Sequence, residues 1–247
     1  MRLLSWNIQH GGGKRLARIA DAIVSHRPDA VALTEFRTAP GVALIEAFKD
    51  RGYWYAESTN PAAGDNGVAV ISRTPIVRKP SSFVPAENLV QWLDVELPEH
   101  GFGLGVMHIL CSMPGSKDRV PGEAKIRFWN AVLEAAEARL HEPFLFVGDW
   151  NTGAHRVDEK GKTFVCADHF GKLSAMGWTD LWRRHNPGNT EFTWYSKFKG
   201  GARANGFRLD HAFATPSLLT RVGACRYSHA ERDAAASDHS LMVVDLD

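Results

Sequence analysis

Four short apolar runs in this chain each end close to a side chain that can bind a metal or exchange a proton. Residues 3–6 precede Asn7, residues 30–33 precede Glu35, residues 104–107 precede His108, and residues 144–147 precede Asp149. Short apolar runs of this kind are typical of buried β-strands, and the ends of neighbouring strands can meet at one rim of a sheet. The pattern therefore predicts a polar cluster at such a rim and indicates a metal-assisted hydrolytic site.

Helices are predicted between these strands. From Leu16 to Val24 apolar residues recur at i, i+3, i+4, i+7 and i+8, which predicts a helix over residues 14–26 that packs on a sheet and ends before Pro28. Further helices are predicted over 42–51 and 123–140. Strands are predicted over 30–35, 68–71, 90–97, 103–107, 144–149, 191–195, 207–214, 224–228 and 241–246. Helices interspersed with so many strands predict one domain over residues 1–247, built on two packed sheets with helices on both outer faces.

Composition narrows the class of protein without naming a partner. The 247 residues are 44% hydrophobic and 23% charged, as in ordinary globular proteins. A net charge of +1 neither predicts nor excludes nucleic acid. Three cysteines are too few for a disulfide framework or a thiolate zinc site. Without an apolar stretch long enough for a signal peptide or a membrane span, we expect a cytoplasmic monomer with no membrane partner.

Glu35 is the strongest candidate for a metal ligand. Mg²⁺ takes carboxylate and amide oxygens and needs few protein ligands, so Asn7 could supply an amide oxygen to the same ion. The structural alternatives are a solvated carboxylate at a strand end for Glu35 and a turn residue before three glycines for Asn7.

Two further motifs carry groups suited to acid–base chemistry. Asp149 and Asn151 follow a strand at i and i+2, where a carboxylate can deprotonate water and an amide can donate to an oxyanion. The alternative is an Asx-rich turn. His239 precedes a strand-like run, and Asp210 could hold its imidazole protonated and oriented. The alternative for Asp210 is an ion pair with Arg208.

Together these segments resemble the endonuclease/exonuclease/phosphatase superfamily, which includes deoxyribonuclease I, exonuclease III, inositol 5-phosphatases and neutral sphingomyelinases. The resemblance covers almost the whole chain. The motifs occur in the family's order: Trp6-Asn7, Glu35-Phe36-Arg37, His108, Gly148-Asp149-Trp150-Asn151, Asn205, Arg208-Leu209-Asp210-His211 and Ser237-Asp238-His239-Ser240. The resemblance implies an α/β (α+β) fold, a four-layered α/β/β/α sandwich of two mixed β-sheets packed face to face. It also implies in-line hydrolysis of a phosphoester by water with Mg²⁺, for which Mn²⁺ can substitute.

The resemblance implies a role for each matching residue of the hydrolytic site. The implied metal ligands are Glu35, Asn7 and Asp238, the last as a ligand of the same ion or of a second one. The implied catalytic residues are Asp149, which activates water, Asn151, which holds the scissile phosphate, and His239 paired with Asp210, which stabilises the charge that develops. His108 and Arg37 match deoxyribonuclease I, although a lone histidine after an apolar run is more often a core residue.

The last third of the chain is more similar to exonuclease III. Asn205 matches an amide that contacts phosphate there, and Arg208 follows it as a further candidate for substrate binding. Trp194, Phe207 and Leu209 match the lining of a pocket for an abasic sugar. The segment after Asn151 lacks the exonuclease III extension, which argues against abasic-site specificity.

Basic and aromatic residues also cluster in this third of the chain. Arginines and lysines can follow a phosphate backbone, and aromatic rings can stack on bases. The basic members are Arg183, Arg184, Lys197, Lys199, Arg203 and Arg208, and the aromatic members are Trp178, Trp182, Trp194, Tyr195, Phe198 and Phe207. The alternative is a mixed surface loop, and for Trp178 and Trp182 burial is the prediction. A second basic stretch over 117–127 either adds phosphate contacts or is a solvated helix start.

Three functions compete. The leading hypothesis is a Mg²⁺-dependent phosphodiesterase that acts on DNA, with RNA left open as a further substrate. The nearest rival is the same chemistry on a small or lipid phosphoester such as an inositol phosphate or sphingomyelin, although no apolar loop suited to membrane insertion is present. The third is a catalytically silent binding module, which the complete set of candidate catalytic residues disfavours.

Overall fold

The computed structural model describes residues 1–112, 122–197 and 202–247. Its strands are β1 (Arg2–Asn7), β2 (Ala30–Phe36), β3 (Tyr55–Ser58), β4 (Gly67–Ser72), β5 (Val77–Lys79), β6 (Trp92–Leu97), β7 (Phe102–His108), β8 (Phe144–Asp149), β9 (Thr179–Asp180), β10 (Trp194–Lys197), β11 (Arg203–Phe207), β12 (Asp210–Ala214), β13 (Val222–Ser228) and β14 (Leu241–Leu246). Its helices are α1 (Leu16–Ser25), α2 (Thr38–Lys49), α3 (Gly122–Arg139), α4 (Ala167–Ala175), α5 (Leu181–His185), α6 (Pro216–Leu219) and α7 (Ala230–Asp233).

The strands form two six-stranded sheets and one two-stranded ribbon. The first sheet runs β13-β14-β1-β2-β4-β3 and the second runs β5-β6-β7-β8-β12-β9, while β10 and β11 form the ribbon. Each large sheet contains a parallel pair, β1 with β2 and β7 with β8, and the other pairings are antiparallel. Parallel neighbours need a crossover connection. Helices α1 and α3 lie in those connections, so the carboxyl ends of β1, β2, β7 and β8 carry the polar residues that follow each apolar run.

Three apolar clusters account for four layers. Residues from both sheets, such as Leu3, Val68, Leu104 and Val147, interdigitate in the central cluster. Helices α1 and α2 cover the outer face of the first sheet, and α3 and α4 cover the outer face of the second. The predicted α/β/β/α sandwich of two mixed sheets is therefore confirmed. Within the described part of the chain, no helix combines the length and apolar character that a bilayer crossing requires.

Several boundaries differ from the sequence-based prediction. The strand predicted over 207–214 is two strands, β11 and β12, because the backbone between them changes partners: the Arg208 amide donates to the Asp158 carbonyl and the Leu209 amide donates to the Thr193 hydroxyl. Helices α4 and α5 and the short strands β3, β5 and β9 were not predicted. Trp178 and Trp182 are buried, as predicted.

Candidate active site

Three candidate catalytic residues lie side by side on adjacent strands of the second sheet. In the strand register His108 pairs with Asp149, and Asp149 pairs with Asp210. Paired residues on neighbouring strands point to the same face, and His108 Nε2 lies 3.9 Å from Asp149 Oδ2. Gly148 allows this close pairing, since its φ is +138° and an added Cβ would lie 1.9 Å from the Met107 carbonyl oxygen.

The first sheet supplies Asn7 and Glu35 at the same end of the sandwich. Glu35 lies at a bulge in β2 and has a φ of +54°. The Asn7 amide nitrogen donates both to Glu35 Oε1 at 3.1 Å and to Asp149 Oδ2 at 2.9 Å, so it connects the two sheets. Its amide oxygen accepts from the Gln9 backbone amide at 2.9 Å. In this arrangement the NH₂ group of Asn7 faces the two carboxylates and holds them together, and a role for Asn7 as a metal ligand stays a prediction.

Neighbouring loops orient the Glu35 carboxylate. Its Oε2 accepts from the His10 backbone amide at 2.7 Å and from Asn66 Nδ2 at 3.1 Å. Residues 9–13 all have positive φ, a left-handed run that aims the His10 amide at Glu35. Arg37 lies at the rim, where its Nε donates to Asn66 Oδ1 at 2.7 Å. Although burial opposes ionisation, His108, Asn7 and His10 lower the pKa of Glu35.

His239 comes from the turn before β14 and completes the cluster. Its Nδ1 lies 2.9 Å from Asp210 Oδ2, and its Nε2 lies 3.8 Å from Asp149 Oδ2. Burial alone would lower the pKa of His239, but Asp210 and Asp149 raise it well above its usual value. Burial, together with the nearby Asp210 charge, raises the pKa of Asp149 despite the opposing imidazoles. The arrangement therefore combines a cationic imidazole with a carboxylate that is a stronger base than usual.

Asn151 is held beside Asp149 in a left-handed backbone conformation. Its φ is +46°, its backbone amide donates to Asp149 Oδ1 at 3.0 Å, and its Nδ2 donates to the Ile109 carbonyl at 3.0 Å. The two candidates at i and i+2 thus form one rigid turn, with both side chains at the mouth of the second sheet.

Lys125 is a neighbour of this turn that the sequence did not single out. Its Nζ donates to the Asn151 carbonyl, its side chain is buried, and burial lowers its pKa to about 8. A solvated helix start is therefore wrong for this residue, while 117–121 lie outside the described residues. The buried stripe of α3 contains Lys125, Phe128 and Val132, and Ile126 is 39% exposed. In the sequence, Lys125 stands three residues before Phe128 and seven before Val132, and this helical spacing could have indicated that the lysine is buried.

Arg208 does not face the substrate side of the site. Its side chain is 1% exposed; Nε donates to Asp158 Oδ1 at 2.7 Å and Nη1 to Asp180 Oδ1 at 3.1 Å. Both carboxylates lie away from Asp210, which pairs with His239 instead. The expectation that Arg208 binds substrate is wrong, because its guanidinium is occupied inside the protein.

The remaining candidates border the cluster. Trp194 Nε1 donates to Asp238 Oδ2 at 3.1 Å, and the Trp194 ring lies 6.5 Å from the His239 ring. Asp238 is half-buried beside the cluster. Asn205 is exposed on β11, and Phe198 and Lys199 lie outside the described residues.

The proposed lining of a sugar pocket is closed in this structure. Phe207 and Leu209 are buried with Phe164 in a small apolar cluster, against which Trp194 packs. The Phe164 and Phe207 rings meet edge to face at 5.9 Å. Phe164 thus packs with two of the three residues that match the sugar-pocket lining, and a role for Trp194, Phe207 and Leu209 in substrate binding stays a prediction.

Two overlapping sets of ligand atoms suit a cation. Among the described residues, Asp149, Asp210 and His239 offer ligand atoms within 4.8 Å of one another, a group that could hold a metal ion. Glu35 and Asp149 both contact the Asn7 nitrogen, so their oxygens also lie close together. Because His239 is already bonded to Asp210 and has a raised pKa, the Glu35 carboxylate suits a hard divalent cation better than this group does.

Comparison with known proteins identifies the class. The family model described as the Endonuclease/Exonuclease/phosphatase family matches residues 4–239, and the chain belongs to this family. Enzymes of this family are hydrolases that act on phosphoester bonds. No match is found among curated protein sequences.

Solved structures share the fold at low sequence identity. An AP endonuclease from Archaeoglobus fulgidus aligns over 100% of this chain and 99% of its own, with a TM-score of 0.83 and 19% identity. The 3′ phosphatase NExo from Neisseria, bound to a product DNA hairpin, aligns over 100% and 99%, with a TM-score of 0.82 and 18% identity. A 3′-5′ exonuclease from Neisseria meningitidis aligns over 100% of both chains, with a TM-score of 0.81 and 18% identity.

Proposed function

We propose that this chain is a divalent-cation-dependent phosphodiesterase that cleaves nucleic acid, with DNA as its first substrate, by in-line attack of water. One observation carries the proposal. Asp149 and Asp210 lie against the cationic imidazole of His239, and Asn7 links Asp149 to Glu35 of the other sheet. Three largely buried carboxylates without an arginine or lysine bonded to them, among the described residues, suit a site that receives a metal ion and a phosphate.

The donor set fits Mg²⁺ or Mn²⁺. Glu35 would hold the ion, since its carboxylate is largely buried and offers hard oxygen atoms close to Asp149. When bound, such an ion polarises a phosphoryl oxygen and stabilises a leaving alkoxide. Asp238 stays a candidate for a further ligand at the edge of this set.

The chain's own residues divide the remaining work. Asp149 orients water and accepts its proton, a task that a raised pKa favours. His239 presents Nε2 toward Asp149 while Asp210 holds Nδ1, so a protonated imidazole can donate to a non-bridging phosphate oxygen. Asn151 stands beside Asp149 and can donate to the same phosphate after exchanging its bond to Ile109.

Nucleic acid is favoured over a small phosphoester by surface charge and by the neighbours. Lys197 and Arg203 are exposed on the ribbon beside Trp194, where they can meet a phosphate backbone. The neighbours include an AP endonuclease and a 3′ phosphatase bound to a DNA hairpin. Because the segment after Asn151 lacks the exonuclease III extension, we do not propose abasic-site specificity.

A substrate panel tests the proposal. Supercoiled plasmid, a DNA hairpin, an abasic duplex, RNA, an inositol phosphate and bis(p-nitrophenyl) phosphate are each incubated with Mg²⁺, Mn²⁺ or EDTA. We expect DNA cleavage with either metal and none with EDTA, and loss of cleavage in Asp149→Ala. Inert DNA alongside rapid turnover of the inositol phosphate would replace this proposal with the small-phosphoester reading.

A further inference from the structure

A pocket of about 240 Å³ opens beside the candidate active site. Its walls include Tyr195, Lys197, Arg203, Arg232, Ser237 and Asp238. The Ser237 hydroxyl donates to the Asn7 carbonyl at 2.6 Å, and Asp238 directly precedes His239. The pocket, named here the Tyr195 pocket, therefore shares a wall with the hydrolytic cluster, although Asp149 and Asp210 do not line it.

Two arginines pack on the ring that gives this pocket its name. The guanidinium carbons of Arg203 and Arg232 lie 5.0 Å and 4.9 Å from the centroid of Tyr195. Each contact is a favourable cation–π interaction, but the two cations also repel each other. Burial and then the Arg203 charge lower the pKa of Arg232. An anion placed beside both guanidinium groups would relieve this repulsion.

Arg232 is held in place before any ligand arrives. Its Nη1 donates to the Phe192 carbonyl and to the Ser240 hydroxyl, each at 2.7 Å. In residues 1–112, 122–197 and 202–247, no acceptor lies within hydrogen-bond distance of its buried Nε, to which Asp233 Oδ1 comes no closer than 3.7 Å. A rigid, incompletely satisfied guanidinium is preorganised to bind a planar or tetrahedral oxyanion.

The acidic neighbours leave the pocket with net positive charge. Asp238 accepts from Trp194 Nε1, on the side of the pocket nearest His239. Arg203 pairs with Asp233 at 2.5 Å, but both side chains are about half exposed, at 49% and 56%, and an exposed ion pair is weak in water. Lys197 is exposed and adds a third cation.

We propose that the Tyr195 pocket binds a second phosphate of the substrate, a backbone phosphate next to the one that is hydrolysed. This inference rests on the proposed function and adds a second phosphate-binding subsite, which only a chain of linked phosphodiesters would occupy together with the hydrolytic site. A substrate with one phosphate leaves the pocket empty, and a nucleic acid strand fills it. Guanidinium groups bind phosphate oxygens in pairs, which gives the contact its geometry.

The test replaces single phosphates in a DNA hairpin with one defined 3′ end. Neutral methylphosphonate is introduced at each of the terminal linkages in turn, and KM with Mg²⁺ and Kd in EDTA are measured for wild type and Arg203→Gln. Arg226→Gln is the matched control, because Arg226 is also exposed and also pairs with an aspartate, Asp245, through a 2.6 Å contact.

We expect Arg203→Gln to raise Kd and KM for the unmodified hairpin by about tenfold, an effect of the size expected for lost phosphate contacts. One methylphosphonate position should cost wild type a similar factor and should cost Arg203→Gln almost nothing, because both changes remove the same contact. Arg226→Gln should keep the wild-type response. The inference would be overturned if, at every methylphosphonate position, the increase in Kd of the double change equalled the product of the two single increases. It would also be overturned if Arg203→Gln raised Kd no more than Arg226→Gln does.

The two readouts separate the two proposals. If the effects of the methylphosphonate and of Arg203→Gln on Kd are coupled but neither the hairpin nor bis(p-nitrophenyl) phosphate is hydrolysed, the proposed function is wrong and the phosphate pocket is supported. Hydrolysis without coupling would sink the pocket alone.

Discussion

Two buried ion clusters meet in the three residues Arg208-Leu209-Asp210, and they differ in how their charges are matched. Arg208 belongs to a cluster with Asp158, Asp180 and Arg183, here named the Arg208 cluster. Asp210 belongs to the group with His239, Asp149, Glu35 and Asn7, here named the Asp149 cluster. Two residues of one segment therefore lie in environments that differ in whether the buried charges are compensated by partners.

In the Arg208 cluster every charge has a close partner. Asp158 accepts from Arg208 at 2.7 Å and from Arg183 at 3.0 Å, and Asp180 accepts from Arg208. Burial opposes ionisation of both aspartates, yet the Arg208 charge lowers the pKa of each. Two acids and two bases thus neutralise one another within hydrogen-bond distance.

In the Asp149 cluster the three carboxylates have, of the basic side chains that the structure describes, only histidines beside them, His239, His108 and His10, where the Arg208 cluster has arginines. The pKa of Asp149 is raised rather than lowered. A balanced buried cluster needs nothing from outside, and it stabilises one arrangement of the chain. An unbalanced cluster is costly unless a cation or a proton completes it. Both clusters are buried and charged. What distinguishes the structural Arg208 cluster from the candidate catalytic Asp149 cluster is how fully the carboxylates are compensated by cations.

The largest expected effect is on turnover in Asp149→Asn. We expect kcat to fall by roughly 10³–10⁴-fold, because the variant removes the base that accepts a proton from water. The free energy of unfolding should not fall, since the substitution removes a buried charge and preserves an acceptor for Asn7. Turnover assays and urea denaturation measure the two quantities. Near-normal turnover would remove Asp149 from the mechanism.

Arg208→Met should show the reverse pattern. Removing the guanidinium leaves Asp158 and Asp180 with uncompensated buried charge, and we expect a loss of about 3–5 kcal/mol in the free energy of unfolding. Arg226→Met, which breaks an exposed ion pair with Asp245, should cost less than about 1 kcal/mol. Urea denaturation of both variants is the measurement. Equal losses would show that the Arg208 cluster has no special structural role.

Asp210→Asn should lower kcat on the order of 10²-fold, the size typical of groups that orient a functional side chain. It should also move the alkaline limb of the pH–rate profile to lower pH, because burial lowers the pKa of His239 and Asp210 is the main group that raises it. In wild type the ion pair contributes its full stability below the unfolded pKa of about 6.5. That contribution is lost as pH rises through the raised folded pKa. A pH–rate profile identical to wild type would remove the pairing from the mechanism.

The smallest predicted effect concerns His211, which lies against the balanced cluster. Burial and the Arg208 charge lower its pKa to about 4, and its Nε2 lies 2.8 Å from the Thr152 carbonyl. A depressed folded pKa means that stability present above about 6.5 is lost as pH falls. We expect His211 to account for about 2 kcal/mol of the loss between pH 7 and pH 5. His211→Gln should lose that much less over the same interval in urea denaturation, and an equal loss would contradict the prediction.

Much of the sandwich could be predicted because its central strands are apolar runs of distinctive length. The run that ends at Asp149 and the run over 241–246 coincide with β8 and β14. The short strand β5 is exposed along its length and gives no apolar pattern. That residues 1–247 form one domain, and that the protein is a cytoplasmic monomer, stay predictions.

For the candidate site, the sequence predicted which residues meet but not how each is bonded. Glu35, Asp149 and His239 lie together because each stands at the end of a central strand or beside one. Their catalytic roles stay predictions. The prediction that Arg208 binds substrate was wrong, because its partner Asp158 lies fifty residues away in sequence. No local sequence pattern reveals that pairing. The orientation of the Asn7 amide depends on one backbone donor, that of Gln9.

The bonds from Asn7 to carboxylates of both sheets have a mechanical consequence. A shift of about one ångström of one sheet against the other would break the Asn7 hydrogen bonds to Glu35 and Asp149. The hydrogen bonds between strands within each sheet would stay intact. Hydrolytic activity should therefore depend on the relative position of the two sheets. On warming, activity should be lost at a lower temperature than the circular dichroism signal of the helices and strands.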